Sequence, residues 1–231
     1  MRIVDAGDAC LILELESRVD PAINDACVAI ADRLVRMRVS GVRDVVPTYY
    51  TVAVHVDPLD VDRTMLASLL ERLATSAREG ERAGGVEHEI PVCYGDEFGP
   101  DLGDVAQFGE CTEDEVVRLH TSPTYRVYMM GFLPGFAYLG SVPNRIRMGR
   151  LDVPRLKVHA GSVAIAGLQT GIYPQEAPGG WRIIGRTWIK PFDPTRPAPW
   201  LFQAGDTVRF VPVSRADYVG AIAGEPNRAP R

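Results

Sequence analysis

The residues most able to do chemistry in this 231-residue chain lie in three stretches rich in glycine, proline and aromatic side chains. The stretches are MGFLPGFAYLG (130–140), HAGSVAIAGLQTGIYP (159–174) and APGGWRIIGRT (177–187). Glycine lets the backbone come close to a ligand or to another chain, and loops held on a rigid β scaffold commonly carry binding groups. We therefore expect a binding site in this part of the chain.

Polar side chains in and near these stretches could bind and activate a small amide. His120 could act as a general base, although a histidine at the end of a helix also suits the helix dipole. Gln169 and Thr170 could orient an amide through paired hydrogen bonds, or could simply be polar turn residues. Arg155 and Arg186 could bind a carboxylate or phosphate bidentately, although cations at alternating strand positions usually face water. The predicted catalytic residues are His120, Gln169 and Arg186.

The aromatic residues could line a cleft or anchor an interface. Phe132 and Phe136 flank Pro134 and could form one wall, although such rings often simply fill a core. Trp181 follows two glycines that give it nothing to pack against locally, which favours a cleft or an interface. The predicted substrate-binding residues are Phe132, Pro134, Phe136, Arg155, Thr170, Tyr173, Gly179, Gly180 and Trp181.

Common catalytic motifs do not explain the chain. Residues 180–187, GWRIIGRT, fit the pattern GxxxxG[K/R]T, but arginine replaces the lysine of a phosphate loop. Bulky side chains also fill a segment that would need free backbone amides, so we predict a strand there. The sequence contains no GxSxG, no HExxH, and no GxGxxG after a strand.

Four cysteines, Cys10, Cys27, Cys93 and Cys111, are too far apart for a paired CxxC metal site. We expect four reduced thiols, most of them buried, and we predict no metal site.

Composition limits the class of protein. The chain is 46% hydrophobic and 24% charged, which is typical of a globular protein, and no apolar run approaches the ~20 residues of a membrane helix. The net charge is −5 and there is no lysine or arginine block, so nucleic acid is not a predicted partner. The N-terminus does not have the pattern of a signal peptide, and we expect a cytoplasmic location.

The first 85 residues alternate strand and helix patterns. Strands are predicted at 10–16, 42–46 and 49–56, and helices follow Asp20-Pro21 and Asp57-Pro58. With a last strand at 86–93, this order predicts a small α+β domain with the split βαβ arrangement, a ferredoxin-like layer of helices on an antiparallel sheet. Residues 78–85 are predicted to be a flexible linker or exposed loop.

The second part, residues 86–223, loses the helical period after two short helices near 101–108 and 112–120, the latter with a capping box at Thr112. Short β-rich runs between glycine and proline turns then predict a barrel or sandwich. The runs are Tyr125–Met130, Ser162–Ala166, Trp181–Ile184, Thr187–Pro191 and Thr207–Val213. Residues 224–231 are predicted to be a disordered tail.

The three stretches together resemble one family. LHTSPTYRVYMMGFLPGFAYLG, PRLKVHAGSVAIAGLQTGIYPQEAPGGWRIIGRT and FQAGDTVRFVPV look like the B subunit of prokaryotic 5-oxoprolinase, and the resemblance begins at GDACLILELE. The family is also known as the first subunit of allophanate hydrolase, as the C/D subdomain of carboxyltransferases, and as the inhibitor of a sporulation histidine kinase. The positions that match its motifs are His120, Phe132, Pro134, Gly135, Phe136, Arg155, Gly161, Ser162, Gln169, Thr170, Tyr173, Pro178, Gly179, Gly180, Trp181 and Arg186.

The resemblance implies a cyclophilin-like β-barrel as the second domain. It also implies two partners, the C subunit, which is a homologous barrel, and the separate A subunit. With these partners the family opens 5-oxoproline to L-glutamate at the expense of ATP, with Mg²⁺ as the accompanying ion. The family pattern often has proline where His159 stands and glycine where Leu168 stands. The cofactor is expected at the level of the complex, and we expect the chain to be inactive alone.

The implied chemistry explains why polar groups should converge. A five-membered lactam is an unreactive amide, and phosphorylation of its oxygen creates a leaving group that lets water open the ring. Such a path needs a cation for the developing phosphate, donors for the lactam and its carboxylate, and a base for water. Arg155 and Arg186 are expected to bind anions, Gln169 and Thr170 to orient the amide, and His120 to transfer a proton.

Other functions stay open on the sequence alone. The same family resemblance allows a regulatory protein that inhibits a histidine kinase, and it allows allophanate instead of 5-oxoproline as substrate. A peptidyl-prolyl isomerase would rest on the barrel fold alone and has no site to support it.

Overall fold

The computed structural model describes residues 1–77 and 84–224 and divides into two compact units, Met1–Gly85 and a second unit from Val86 onward. Residues 78–83 of the predicted linker and residues 225–231 of the predicted tail lie outside the described residues. None of the described helices is long and apolar enough to cross a membrane.

The first unit is a four-stranded antiparallel sheet with two helices. The strand order is β1-β2-β4-β3, and the helices bury leucine, isoleucine and cysteine side chains against the apolar residues of β2 and β4. The elements are β1 (Arg2–Asp5), β2 (Cys10–Glu14), α1 (Pro21–Met37), β3 (Val42–Pro47), β4 (Thr51–Val56) and α2 (Arg63–Ala77).

Both helices begin where the sequence predicts them. The side chain of Asp20 accepts a hydrogen bond from the amide of Ala22 at 2.8 Å, and Pro21 occupies the first helical turn, where its missing N–H costs nothing. Asp62 caps α2 in the same way through the amide of Met65. These caps fix the first turn of each helix, and the apolar faces pack on the sheet.

The split βαβ arrangement is wrong in one strand. The edge position beside β2 is taken by β1, which forms a hairpin with β2 in the register Arg2↔Glu14. The strand predicted at 86–93 instead belongs to the second unit, where Ile90 and Val92 are buried in the core. A hairpin closes a much shorter loop than a strand at residue 86 would, so its entropic cost is lower.

The second unit is a closed seven-stranded barrel with the strand order β10-β7-β6-β13-β5-β12-β9. A separate two-stranded sheet pairs β8 with β11. The elements are β5 (Glu87–Tyr94), α3 (Leu102–Phe108), α4 (Glu113–Thr121), β6 (Tyr125–Met130), β7 (Ala137–Gly140), a 3₁₀ turn (Asn144–Ile146), β8 (Arg155–Val158), β9 (Ser162–Ala166), β10 (Gln169–Ile172), β11 (Ala177–Gly179), β12 (Arg182–Arg186), β13 (Thr207–Pro212) and α5 (Arg215–Gly224).

The barrel settles the choice between barrel and sandwich, and several sequence expectations hold in it. Residues 182–186 are a strand, as predicted, and not a phosphate loop. Thr112 caps α4 through the amide of Glu115, although Thr187–Pro191 forms no strand. All four cysteines are free thiols, and Cys111 alone is more than slightly exposed.

A polar group occupies the otherwise apolar core of the barrel. His120, at the end of α4, is 0% exposed and stacks on Phe210 with ring centroids 4.6 Å apart. Its Nε2 lies 2.9 Å from Oγ1 of Thr170, and its Nδ1 lies 2.8 Å from the hydroxyl of Tyr94. Both ring nitrogens therefore have partners inside the barrel.

The hydrogen bonds of this group fix the tautomer of the histidine. The hydroxyl of Thr170 donates to the carbonyl oxygen of Ala164 at 2.9 Å, so it accepts from His120. Nε2 of His120 therefore carries the proton, and Nδ1 accepts from the Tyr94 hydroxyl. Burial lowers the pKa of His120 from 6.5 to about 3, so the ring is neutral.

One turn of the barrel leaves no space for a side chain. Gly161 has a φ of +78°, its amide donates to the carbonyl of Tyr173 at 2.7 Å, and its carbonyl accepts from the amide of Thr187 at 2.9 Å. A Cβ at this position would lie 2.2 Å from the carbonyl oxygen of Thr187. Glycine is therefore required here for both conformation and space.

We predict that His120 makes the barrel acid-sensitive. The unfolded chain binds a proton to this residue below pH about 6.5, whereas the folded chain binds it only near pH 3. Stability is therefore fully present above pH 6.5 and falls as the pH drops toward 3, by at most about 1.4 kcal/mol per pH unit from this group. Urea unfolding of His120→Gln between pH 7 and 4.5 should show a shallower decline. His159→Gln removes an exposed histidine of the same unit and should keep the native slope; an unchanged slope in His120→Gln would contradict the prediction.

We predict that Gly161→Ala lowers the stability of the barrel unit more than Gly167→Ala does. The left-handed backbone costs an alanine about 1–2 kcal/mol, and the clash with Thr187 adds about 1–3 kcal/mol. Gly167→Ala is the matched control, because Gly167 has a φ of +60° but a Cβ added there would meet no atom within 4 Å. Thermal and urea unfolding should rank the native chain above Gly167→Ala and Gly161→Ala last. Equal stability of the two variants would show that the backbone at residue 187 relaxes.

Candidate functional site

Four aromatic rings pack edge to face on one side of the barrel. Phe136 is their centre, with ring centroids 4.9 Å from Tyr138, 5.5 Å from Tyr173 and 5.3 Å from Trp181. The side chains of Phe136 and Trp181 are nearly closed to solvent, at 1% and 5% exposure. We call these four residues the aromatic cluster. Phe136 and Trp181 were predicted to line a substrate site, but in the structure they are buried and pack mainly against each other.

Two glycines beside the cluster differ in what they require. A Cβ on Gly179 would lie 2.2 Å from the hydroxyl of Tyr173, so this position must be glycine for the tyrosine to reach its place. A Cβ on Gly180 would make only an ordinary contact, 3.6 Å from the carbonyl of Leu151. Packing against Tyr173 therefore requires glycine at position 179 but not at position 180.

Phe132 lies beside the cluster and is exposed to solvent. Its side chain is 59% exposed, and its ring lies 5.4 Å from Phe136 and 6.5 Å from Tyr173. Its φ of +69° places a bulky residue in the left-handed region, which is unfavourable for a large side chain and is adopted more readily by glycine, asparagine and aspartate. Such strain is typical of positions whose side chain is held out for a purpose.

Phe132 also borders a shallow apolar groove of about 360 Å³. The groove is lined by residues 130–135 and by Trp200, which is 47% exposed. The ring of Trp200 rests on Phe192 at 4.6 Å, which fixes it. We call this surface the Phe132–Trp200 groove; it includes Pro134, the third predicted residue of the first stretch.

The predicted anion-binding arginines are engaged within the chain. Arg155 donates two hydrogen bonds to the carboxylate of Asp101, at 2.6 and 2.9 Å, and Asp101 also accepts from the amide of Ile183 at 2.6 Å. The guanidinium of Arg186 lies 5.6 Å from the ring centroid of Phe98, and its Nε is buried without a hydrogen-bond acceptor among the described residues. The structure therefore gives a structural account of Arg155 but leaves Nε of Arg186 unaccounted for, and the catalytic or binding roles of both stay predictions.

Gln169 and Thr170 do not converge. They are neighbours on β10, where successive side chains point to opposite faces. Thr170 is 0% exposed and hydrogen-bonds His120 within the core, whereas Gln169 is half-buried. The expected pair of donors for one amide is therefore not brought together, and His120 has no opening to solvent through which to exchange a proton with a substrate. The proton-transfer role of His120 stays a prediction that this arrangement does not support.

One residue beside the cluster has no counterpart in the sequence predictions. Arg150 is exposed, and its Cζ lies 6.0 Å from the ring centroid of Trp181. Neither its type nor its spacing distinguishes it from the other arginines of the chain. Only its position on the folded loop before β8 places a cation over the cluster. Among residues 1–77 and 84–224, no group of His, Cys, Asp or Glu could hold a metal ion.

The sequence of this chain is similar to that of a known protein family along most of its length. A family model described as carboxyltransferase domain, subdomain C and D, matches residues 1–202. The B subunit of 5-oxoprolinase from Bacillus subtilis (strain 168) is 37% identical over 228 residues, which cover 94% of this chain and 95% of the relative. An Escherichia coli O157:H7 protein of the same name is 42% identical over 208 residues, covering 89% and 93%. The resemblance predicted from the three stretches is confirmed.

A solved structure shares the architecture. The crystal structure of TTHA0988 superposes with a TM-score of 0.80 at 35% identity and covers 96% of this chain. This chain spans only 41% of the length of TTHA0988, so that protein carries a further segment beyond the part that matches. With a family model over residues 1–202 and two relatives matched along nearly their whole length, the chain belongs to the family of the carboxyltransferase domain, subdomain C and D.

Proposed function

We propose that this chain is a subunit of an ATP-dependent amidohydrolase complex that opens 5-oxoproline to L-glutamate. The observation that carries the proposal is the match to two proteins that are each named as the B subunit of 5-oxoprolinase, over 95% and 93% of their lengths. A match of that extent leaves no large part of either relative without a counterpart here. The partners would be homologues of the C and A subunits.

The geometry supports a chain that contributes part of a site. Arg155 is paired with Asp101, Thr170 and His120 are closed inside the barrel, and Phe136 and Trp181 are buried. In this region the surface that the described residues leave accessible to solvent is mainly apolar. It consists of Phe132 and the Phe132–Trp200 groove, with polar groups around the groove. A chain of this kind is suited to holding a substrate or a partner, whereas the groups that attack the amide would come from elsewhere in the complex.

ATP fits this division of labour. Residues 180–187 resemble a phosphate loop in sequence, but residues 182–186 form β12. This strand is paired with β9 in the barrel, so its backbone does not form a loop around a phosphate. The described residues therefore do not fit a nucleotide phosphate at this motif. We assign ATP and Mg²⁺ to the complex and derive no step through them on this chain.

The Phe132–Trp200 groove is the surface that we propose for the C-subunit homologue. TTHA0988 carries a segment longer than the part that this chain matches, so a relative of this fold exists with more polypeptide covalently attached. An exposed aromatic held in a strained backbone beside a second exposed aromatic is typical of an interface anchor. A partner would bury both rings and leave the aromatic cluster behind them unchanged.

We predict that turnover needs all three components. The chain alone, incubated with ATP and 5-oxoproline, should release no ADP above background, whereas the chain with its C-subunit and A-subunit homologues should form ADP and L-glutamate in equal amounts. The reaction is followed by coupled ADP detection and by amino-acid analysis, with allophanate as the competing substrate.

Omission of this chain from the mixture is the control and should abolish turnover. Turnover by the chain alone would contradict the division of labour, and turnover of allophanate only would replace the substrate. If no C-subunit homologue binds and the chain inhibits autophosphorylation of a histidine kinase, the regulatory function is correct instead.

We predict that Phe132→Asp weakens binding to the C-subunit homologue at least tenfold, because a charge would be buried where a ring had packed. Aspartate tolerates the left-handed backbone of this position, so the fold should be kept. Leu156→Asp is the matched control, since Leu156 is also an exposed apolar side chain, at 92%, but lies on β8 and does not line the groove. Surface plasmon resonance measures both. Equal losses in the two variants, or none in either, would place the interface elsewhere.

A further inference from the structure

The charge of Arg150 is uncompensated within the part of the chain that the structure describes. Arg150 forms no hydrogen bond or ion pair with residues 1–77 or 84–224. Nearby cations are paired: Arg155 with Asp101, Arg182 with Asp104, and Lys157 with Glu176. An arginine left unpaired among paired neighbours is available for a ligand.

The loop that carries Arg150 is nevertheless held in place. The carbonyl of Met148 accepts from the amide of Gly167 at 2.8 Å, and that of Gly149 accepts from Nε of Arg182 at 3.3 Å. On the other side, the amide of Leu151 donates to the carbonyl of Gly180 at 2.7 Å. Backbone on both sides of Arg150 is therefore tied to the barrel and to the segment before Trp181.

The guanidinium lies against the aromatic cluster. Its Cζ is 6.0 Å from the centroid of Trp181, within the range of a cation–π contact. Burial raises the pKa of both Tyr138 and Tyr173, and the positive charge of Arg150 opposes that rise in each, so the charge is close to both hydroxyls. A cation, an indole face and two phenol groups thus share one small region.

We propose that Arg150 binds the carboxylate of a small cyclic amide acid, with Trp181 holding the guanidinium flat for a two-point contact. The guanidinium offers parallel N–H donors that match a carboxylate, and stacking on an indole reduces the freedom that it would lose on binding. The proposal rests on the proposed function and deepens it, since 5-oxoproline carries one carboxylate beside its lactam.

Other arginines fit this role less well. Arg155 already donates two hydrogen bonds to a carboxylate of its own chain, so a ligand would have to displace Asp101. Arg147 is exposed and also unpaired among the described residues, but no aromatic face supports it. Arg147 is therefore the matched control for a free surface charge on the same loop.

The test compares Arg150→Met, Arg150→Lys and Arg147→Met in the complex with the C-subunit and A-subunit homologues. Loss of a charged two-point contact should raise KM for 5-oxoproline about 10- to 100-fold in Arg150→Met, with kcat within twofold. Arg150→Lys should recover part of this loss, because lysine keeps the positive charge but lacks the two parallel N–H donors of the guanidinium. Arg147→Met should leave KM unchanged.

A second readout separates recognition of the carboxylate from disturbance of the loop. Saturation-transfer NMR on the single chain uses 5-oxoproline and 2-pyrrolidinone, which has the same ring without the carboxylate. The native chain should favour 5-oxoproline, and Arg150→Met should bind both alike. An equal loss of both ligands would mean that Arg150 only shapes the loop and would overturn the proposal.

The outcomes distinguish this proposal from the proposed function. Turnover of 5-oxoproline with the same KM in native and Arg150→Met complexes would overturn the carboxylate site and leave the function standing. If the native complex shows no turnover but NMR shows binding of 5-oxoproline that depends on Arg150, the proposed function is overturned and the carboxylate site stands. Absence of 5-oxoproline binding to the native chain and to the native complex would overturn both.

Discussion

The buried carboxylate of Asp101 is the constraint on which the candidate site depends. It precedes α3, receives both donors of Arg155 from β8, and accepts from the amide of Ile183 in β12. One oxygen pair therefore joins a helix, a barrel strand and the small outer sheet. Because β8 pairs with β11, this sheet in turn places Gly179 against Tyr173. Removal of Arg155 would leave the buried charge of Asp101 without its cation, which is costlier than loss of the bond itself.

Sequence reasoning succeeded where the cause is local. The first turn of α1 follows from Asp20 and Pro21, and the strand at 182–186 follows from bulky apolar residues where a phosphate loop needs glycine. It failed where the cause is a distant partner. The strand at Arg2–Asp5 exists because β2 lies beside it, and the strand at Glu87–Tyr94 has the same local pattern whether it joins the first sheet or the barrel. Only the three-dimensional pairing decides between these.

The candidate site shows the same limit. The types of Arg155, Thr170 and His120 are right for binding an anion or amide, yet each is engaged by a residue that is remote in sequence, namely Asp101, Ala164 and Tyr94. No spacing rule shows that such a partner exists. Conversely, Arg150 belongs to no motif. It is available for a ligand because none of the described residues forms a hydrogen bond or ion pair with it. The site residues stay predictions, and the sequence could not show which internal partners engage Arg155, Thr170 and His120.

The distribution of charge is consistent with the proposal that this chain works in a complex. In this structure both ring nitrogens of the neutral His120 are hydrogen-bonded, and Arg155 already donates two hydrogen bonds to Asp101. Internal pairing therefore engages His120 and Arg155, two of the groups that the sequence predicts for amide activation. It also gives a stiff wall of rings, at whose edge Phe132 and Arg150 remain exposed. Under the proposed function, this wall of rings with one apolar and one cationic margin would orient a small acid and contact another protein, which would supply the reactive groups.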